Sequence, residues 1–239
     1  GGGILSRHAS VTLKTTIIQL NHAKKYGGGM YSIGSSIQLK SSKLTLNEAN
    51  DGAGIYLIGG SNNKPSQLED SDDKSVILNN NASRYGGNLM IDTLDCKKEN
   101  NNKDGCLSHE GCQWNKKPNV LDINKWQGTC MLNREASSTK IKNLLILDGV
   151  ANEGGGVCIN NADVSMINCE ISANYARKYG GGLSLLKDST ATTYKGLTIT
   201  LNIAEFNGGG MIMRRNSQFN NTYGGETIID RNVAWISGG

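Results

Sequence analysis

Long apolar runs are missing from this 239-residue chain, prolines number only 2, and aromatic residues make up 5%. No stretch approaches the roughly 18 consecutive apolar residues of a membrane-crossing helix, and no secretory leader opens the sequence. Few bulky rings argue against one large globular centre. With 37% hydrophobic residues and 31 glycines, the composition suits a core spread thinly along stacked layers. The 25 basic and 21 acidic residues are interspersed, for a net charge of +4, and no basic stripe with interleaved aromatics appears, so nucleic acid is not an expected partner. His8, His22 and His109 stand isolated.

What is abundant is repetition. Asn174-Tyr175-Ala176 runs through to Gly180-Gly181-Gly182-Leu183, and Asn21-His22-Ala23 to Gly27-Gly28-Gly29-Met30 is nearly the same. Asn202 to Gly208-Gly209-Gly210-Met211 repeats it again. Asn80 to Gly86-Gly87-Asn88 carries Asn in the last glycine slot, and Gly149-Val150-Ala151 carries Gly in the first slot. Asn47 opens a repeat one residue shorter. Asn232 opens one that stops at Gly239, and Gly1-Gly2-Gly3-Ile4 reads as the tail of another, so the chain is expected to be a piece of a longer protein. Successive last-glycine slots (Gly3, Gly29, Gly54; Gly156, Gly182, Gly210) lie 26, 25, 26 and 28 residues apart, the spacing of a solenoid.

Alternating apolar pairs fill the period: Ile55/Leu57, Val157/Ile159, Leu183/Leu185 and Met211/Met213 after the glycines, then Val11/Leu13, Ile37/Leu39 and Val164/Met166. A third set, Ile18/Leu20, Leu44/Leu46, Val76/Leu78 and Ile199/Leu201, stands just before the Asn. Period-two alternation marks strands, and about three short strands per repeat make one turn of a parallel β-helix. The fold class is therefore all-β, a single-stranded parallel β-helix of about 26 residues per rung, right-handed by the general crossover preference. No α-helix longer than a turn or two is expected.

The repeat slots have physical reasons. Rungs stack about 4.8 Å apart, so Asn21, Asn47, Asn80, Asn174, Asn202 and Asn232 can form an amide ladder, each side chain bonding to the next. The Ala two residues on fits a corner with little interior room. Gly28, Gly181 and Gly209 are expected to supply positive φ and close backbone approach at a sharp corner. A nucleotide-binding reading of the glycines lacks its strand-to-helix context, its Lys-Ser/Thr and its acidic partner.

This N-x-A-x-x-x-G-G-[GA]-hydrophobic frame resembles the repeats of the chlamydial polymorphic membrane proteins and related surface proteins. The aromatic that family places before the Asn is absent, with Leu20, Leu46 and Leu201 in its stead. The resemblance implies a right-handed β-helix of the pectin-lyase-like type and a cell-surface class. The abundance of Asn, Lys and Ile further suggests a protist surface protein, such as a ciliate's.

Two stretches interrupt the repeats: a loop at 59–73, and a polar segment at 96–130 that divides the rungs of 1–95 from those of 131–239. Cys96, Cys106, Cys112 and Cys130 lack the paired spacing of a zinc module, so two disulfides stapling the second insert are expected. Cys158 and Cys169 are as readily free core thiols as a third pair. Trp114 and Trp126 either cover the disulfides or form an exposed contact. Sequons place N-glycosylation candidates at Asn81 and Asn220. The acidic run Glu69, Asp70, Asp72, Asp73 has no EF-hand frame and reads as a solvated loop, with calcium the less favoured alternative.

No pair of facing carboxylates, nucleophile motif or lyase constellation emerges, and Arg214-Arg215 has no acidic neighbour in sequence. No cofactor, metal or catalytic residue is assigned. The expected function is a non-enzymatic extracellular or cell-surface scaffold, a rigid rod for adhesion or filament assembly. Its expected partners are other protein subunits or further rungs of its own chain, with glycans a further candidate, and any membrane anchor lies outside this stretch. The alternative is a protein that binds or cleaves polysaccharide, but no aromatic ladder for glycan recognition is evident.

Overall fold

A computed structural model describes residues 1–59, 66–72, 74–93, 112–118, 126–132, 138–222 and 224–238. Among them there is no helix. The chain coils as a parallel β-solenoid in which each rung contributes to four sheets. The first sheet begins with Ile4–Arg7 and ends with Met211–Met213; the second runs from Ser10–Lys14 to Gln218–Asn221, and the third from Ile17–Gln19 to Thr227–Asp230. These three hold seven strands each among the described residues, and a fourth, from Glu48–Asp51 to Val233–Ala234, holds six.

The apolar alternation explains three of the sheets. Ile55 and Leu57, Leu89 and Ile91, Val157 and Ile159, and Leu183 and Leu185 all point inward from the first sheet and are fully buried. Ile37, Leu39, Leu68, Ile141 and Met166 do so from the second, and Leu44, Ile77, Ile146, Ile171 and Ile199 from the third. Each such side chain contributes roughly 1.5–3 kcal/mol by leaving water. The expectation of three strands per rung misses the fourth sheet, whose inward residue is only an alanine: Ala49, Ala82, Ala151, Ala176, Ala204. An alanine leaves no alternation to read.

The third apolar set also behaves differently from expectation. Leu20, Leu46 and Leu201 are exposed and sit at φ of 57, 54 and 58°, as do Asn79, Asp148, Ala173 and Arg231 in the same slot of other rungs at 48–55°. The residue before the Asn is thus a left-handed corner, turning the chain from the third sheet into the fourth. Its side chain faces water.

Insertions gather at one corner. Residues 60–65 lie between the first-sheet strand Ile55–Ile58 and the second-sheet strand Ser66–Asp70. One rung on, the segment between Leu89–Asp92 and Thr139–Lys142 leaves from the same corner and contains an antiparallel pair, Cys112–Pro118 with Trp126–Leu132. Trp114 is placed opposite Cys130 and Cys112 opposite Leu132. Cys96 and Cys106 lie outside the described residues, as do the side chains of Cys112, Cys130, Trp114 and Trp126. The first insert is shorter than expected from sequence, because Glu69 and Asp70 belong to a strand rather than a loop. Asp70 is buried and accepts bonds from the Ser75 amide (2.7 Å) and hydroxyl (2.9 Å); Asp72 accepts from the Ser41 amide at 3.0 Å. These two carboxylates hold the corner into the third sheet, while Asp73 lies outside the described residues. The described residues contain no cluster of three or more His, Cys, Asp or Glu suited to a metal.

Cys158 and Cys169 are free, not paired. Strand alternation explains it: Val157 and Ile159 face the core, so Cys158 faces out of the first sheet, while Cys169 joins the core from the third. The wall of the solenoid separates them. Burial pushes both thiols up, that of Cys169 to about 11.

Candidate functional site: an axial cleft on the first sheet

The Asn ladder forms and is unbroken. Side-chain amides donate upward from Asn21 to Asn47 (3.0 Å), Asn47 to Asn80 (3.0 Å), Asn80 to Asn88 (2.8 Å), Asn88 to Asn174 (3.1 Å), Asn174 to Asn202 (2.9 Å) and Asn202 to Asn232 (3.0 Å). Asn88, from a glycine slot, replaces the amide that Gly149 lacks. The ladder joins the third and fourth sheets and is buried from Asn47 to Asn202, so it is internal bracing rather than a site.

The glycine corner that follows divides its work in an order the sequence did not reveal. The first glycine of each group takes positive φ, as in Gly180 at 63°. The middle ones, Gly28, Gly181 and Gly209, lie outside the positive-φ region; their need is space, because a Cβ on Gly181 would lie 2.5 Å from the Ile203 carbonyl oxygen and nearer still to that of Gly209. Only glycine lets neighbouring rungs approach so closely.

This tight corner carries the residue just before it into a vertical column. In register, one rung apart each, stand Tyr26, Asp51, Tyr85, Glu153, Tyr179, Asn207 and Ser237. Beside the column, the outward side chains of the first sheet give Tyr31, Tyr56, Met90 and Cys158 in successive rungs. Between them runs a cleft of about 340 Å³, lined by Tyr26, Asp51, Tyr56, Arg84, Tyr85, Met90, Asp92, Glu153, Asn160, Leu186, Lys187, Arg214 and Arg215. That volume suits a ligand site. Its far wall comes from the insertion-bearing corner, which supplies Lys187, Arg214 and Arg215.

Ion pairs brace the cleft across rungs. Arg84 grips Asp51 with both ends of its fork, Nε donating to Oδ1 at 2.8 Å, and lies 5.1 Å from the Tyr85 ring centre. The bond to Asp51 holds the guanidinium of Arg84 above its ordinary pKa. Arg214 pairs with Glu153, 61 residues earlier, and stacks 4.6 Å from the ring centre of Tyr179. Tyr26 and Tyr31 pack against Tyr56 with centroids 4.7 and 5.5 Å away. The Tyr56 hydroxyl donates to Asp92 at 2.8 Å, and Asp92 also accepts from Asn160 (3.0 Å) and the Thr93 amide (2.8 Å).

Burial, opposed by those three bonds and by Lys187, holds Asp92 above the usual carboxyl range. Burial and the neighbouring Asp92 raise Tyr56 well above a normal phenol. A carboxyl raised by folding keeps a proton that the unfolded chain would release. Its charge therefore costs stability at neutral pH, and the cost vanishes as pH falls through the folded value. Asp92→Asn is expected to flatten the stability profile between the ordinary carboxyl value of 3.8 and neutrality, with the wild type losing ground to the variant as pH rises. Urea titrations across that range measure it; parallel profiles for the two proteins would refute the assignment.

The other sequence candidates lie elsewhere. Asn81 is exposed on the fourth sheet, its Oδ1 accepting from Arg177 at 3.3 Å, and lines a second groove of about 500 Å³ with His22, Glu48 and Asn152. His22 stands 3.5 Å from Glu48, both largely exposed. Asn220 is exposed on the second sheet. The sequence reading overlooked the tyrosines, although the signal was plain: Tyr26, Tyr85 and Tyr179 each precede a glycine group. Arg214 and Glu153 carried no such signal, since only the coiling joins them. Comparison with known proteins finds no protein family, no curated protein and no solved structure that matches this chain.

Proposed function

We propose that the chain is a non-enzymatic scaffold, a rigid section of an extracellular or cell-surface rod that offers its long faces to partners in adhesion or assembly. The observation that carries this reading is the state of the cleft's carboxylates. Asp51 is taken by Arg84, Glu153 by Arg214, and Asp92 by Tyr56, Asn160 and Thr93. Groups so engaged brace a surface; hydrolysis needs one carboxyl to protonate and another to attack or activate water. The likeness to chlamydial surface repeats, the two sequons and the cysteine-rich insert support the compartment, and the Asn-rich composition supports a protist source.

The test is to incubate the purified chain with acidic and neutral polysaccharides while following new reducing ends and unsaturated products, and to image it in its native setting. The expected result is no bond cleavage and rods in lateral or end-on contact with other subunits. Turnover abolished by Asp92→Asn would overturn the reading in favour of a polysaccharide-cleaving enzyme.

A further inference from the structure

We propose that the outer face of the third sheet is a self-complementary interface that takes a second copy of this chain, laid face to face and running the opposite way. The proposal rests on the scaffold reading and deepens it by naming the partner.

The first argument is the apolar surface that this face presents. In its three-residue strands the middle residue points into the core, so the two neighbours point out. In two adjacent rungs both neighbours are apolar: Val76 and Leu78, paired in register with Leu145 and Leu147. All four are only half-buried. The left-handed corner carries the patch on along one edge, with exposed Leu46 beside it and exposed Leu20 and Leu201 further out. Exposed charges rim it, Lys43 in the rung before and Glu170 in the rung after. Both inserts are rooted in the corner between the first and second sheets, so the whole second sheet separates their roots from this face. An apolar patch with a polar rim marks a contact surface.

The second argument is symmetry. The levels of the face read nearly the same from either end, except in the sign of their charges. A twofold axis along the strands, midway between Val76 and Leu145, keeps the strand direction and reverses the order of the rungs. Val76 then falls opposite Leu145 of the other copy, and Leu78 opposite Leu147. One rung out, Thr45 falls opposite Ser172, both small and recessed, and Lys43 opposite Glu170. That ion pair forms twice in the dimer. Glu170 keeps one oxygen for it, the other accepting from the Ser172 hydroxyl at 2.9 Å. In the corner, the Asn79 amide comes opposite the Asp148 carboxylate, and Leu20 comes beside Leu201. A parallel pair instead sets each rung against itself, with Lys43 beside Lys43 and Glu170 beside Glu170. Like charges so placed repel, and the antiparallel pair is selected. One patch meeting itself in this way is what a twofold dimer requires.

Size sets the strength. At the strand spacing, six rungs by three outward positions cover roughly 25 by 15 Å, on the order of 400 Å² a copy. That is about half of a standard interface, so the pair is reversible rather than permanent.

Sedimentation velocity of the purified chain, from micromolar to millimolar concentration, tests this, with the melting temperature reporting on the fold. The expected result is a dimer that grows with concentration. Leu78→Glu, on an outward side chain, should weaken it by about tenfold or more without lowering the melting temperature. Lys43→Glu and Glu170→Lys should each weaken it about tenfold, and the two combined should restore it to within about twofold. Within one chain these two residues stand three rungs apart, about 14 Å, beyond the screening length of physiological salt. Restoration can therefore only come across the dimer. A chain that stays monomeric throughout, or a dimer in which the two charge reversals simply add their losses, would overturn the proposal. Either result leaves the scaffold reading standing with another partner, whereas cleavage of polysaccharide by the chain ends that reading without altering the dimer.

Discussion

Gly149→Asn and Asn88→Gly should each damage the protein, and the two together should largely repair it. In regular rungs the third glycine exists because the next rung's Asn packs over it: a Cβ on Gly156 would lie 2.8 Å from Asn174 Nδ2, and one on Gly182 2.8 Å from Asn202 Nδ2. At one level the roles are exchanged. Asn88 stands in the glycine slot, Gly149 in the Asn slot, and a Cβ on Gly149 would meet Asn88 Nδ2 at 2.6 Å. Removing the Asn88 side chain takes the acceptor from the buried Asn80 backbone N–H, while the Asn80 side-chain amide and Asn174 Oδ1 each lose one partner and keep others. One buried N–H left unbonded costs roughly 1–3 kcal/mol, and a loss of about that size is expected. Gly149→Asn drives two amides into one space at a similar cost. The double variant restores the ordinary pattern of Asn under third glycine. The Asn47 rung, equally short between its Asn and its first glycine, already carries that pattern. Denaturant titrations of the four proteins give the coupling; losses that simply add would show that the exchange is not compensatory.

Gly181→Ala should cost about 3 kcal/mol or more although its φ suits any residue, because the new methyl would collide with backbone oxygens of the next rung that cannot move alone. Gly196 is the useful contrast. Its φ is 87°, yet a Cβ there would meet only Glu226 O at 3.6 Å, so Gly196→Ala should cost about 1–2 kcal/mol, the conformational penalty by itself. The reverse order of the two losses would mean that torsion, not crowding, demands the glycines.

Sequence legibility followed the strength of the local constraint. The Asn ladder and the glycine group recur because every rung imposes the same contact on its neighbours, and they could be read without coordinates. The sheets lined by Ile, Leu and Val announced themselves through alternation, while the alanine-lined sheet did not. Leu20 and Leu46 misled because an apolar residue in a left-handed corner looks on paper like one more core position. The cleft was half legible: three tyrosines share a slot, but the pairing of Arg214 with Glu153 depends on how many rungs lie between them.

The ladder has a sense as well as a path. Each amide-to-amide bond in it, from Asn21 to Asn232, runs from the Nδ2 of one rung to the Oδ1 of the next toward the C-terminal end, and Asn88 preserves that direction where Gly149 would have broken it. The amide dipoles therefore add rather than cancel, as peptide dipoles do in a helix. The rod is electrically polar along its axis. Two such rods side by side attract when they run in opposite directions and repel when they run alike, so an array that aligned them in parallel would have to overcome this field with contacts between faces.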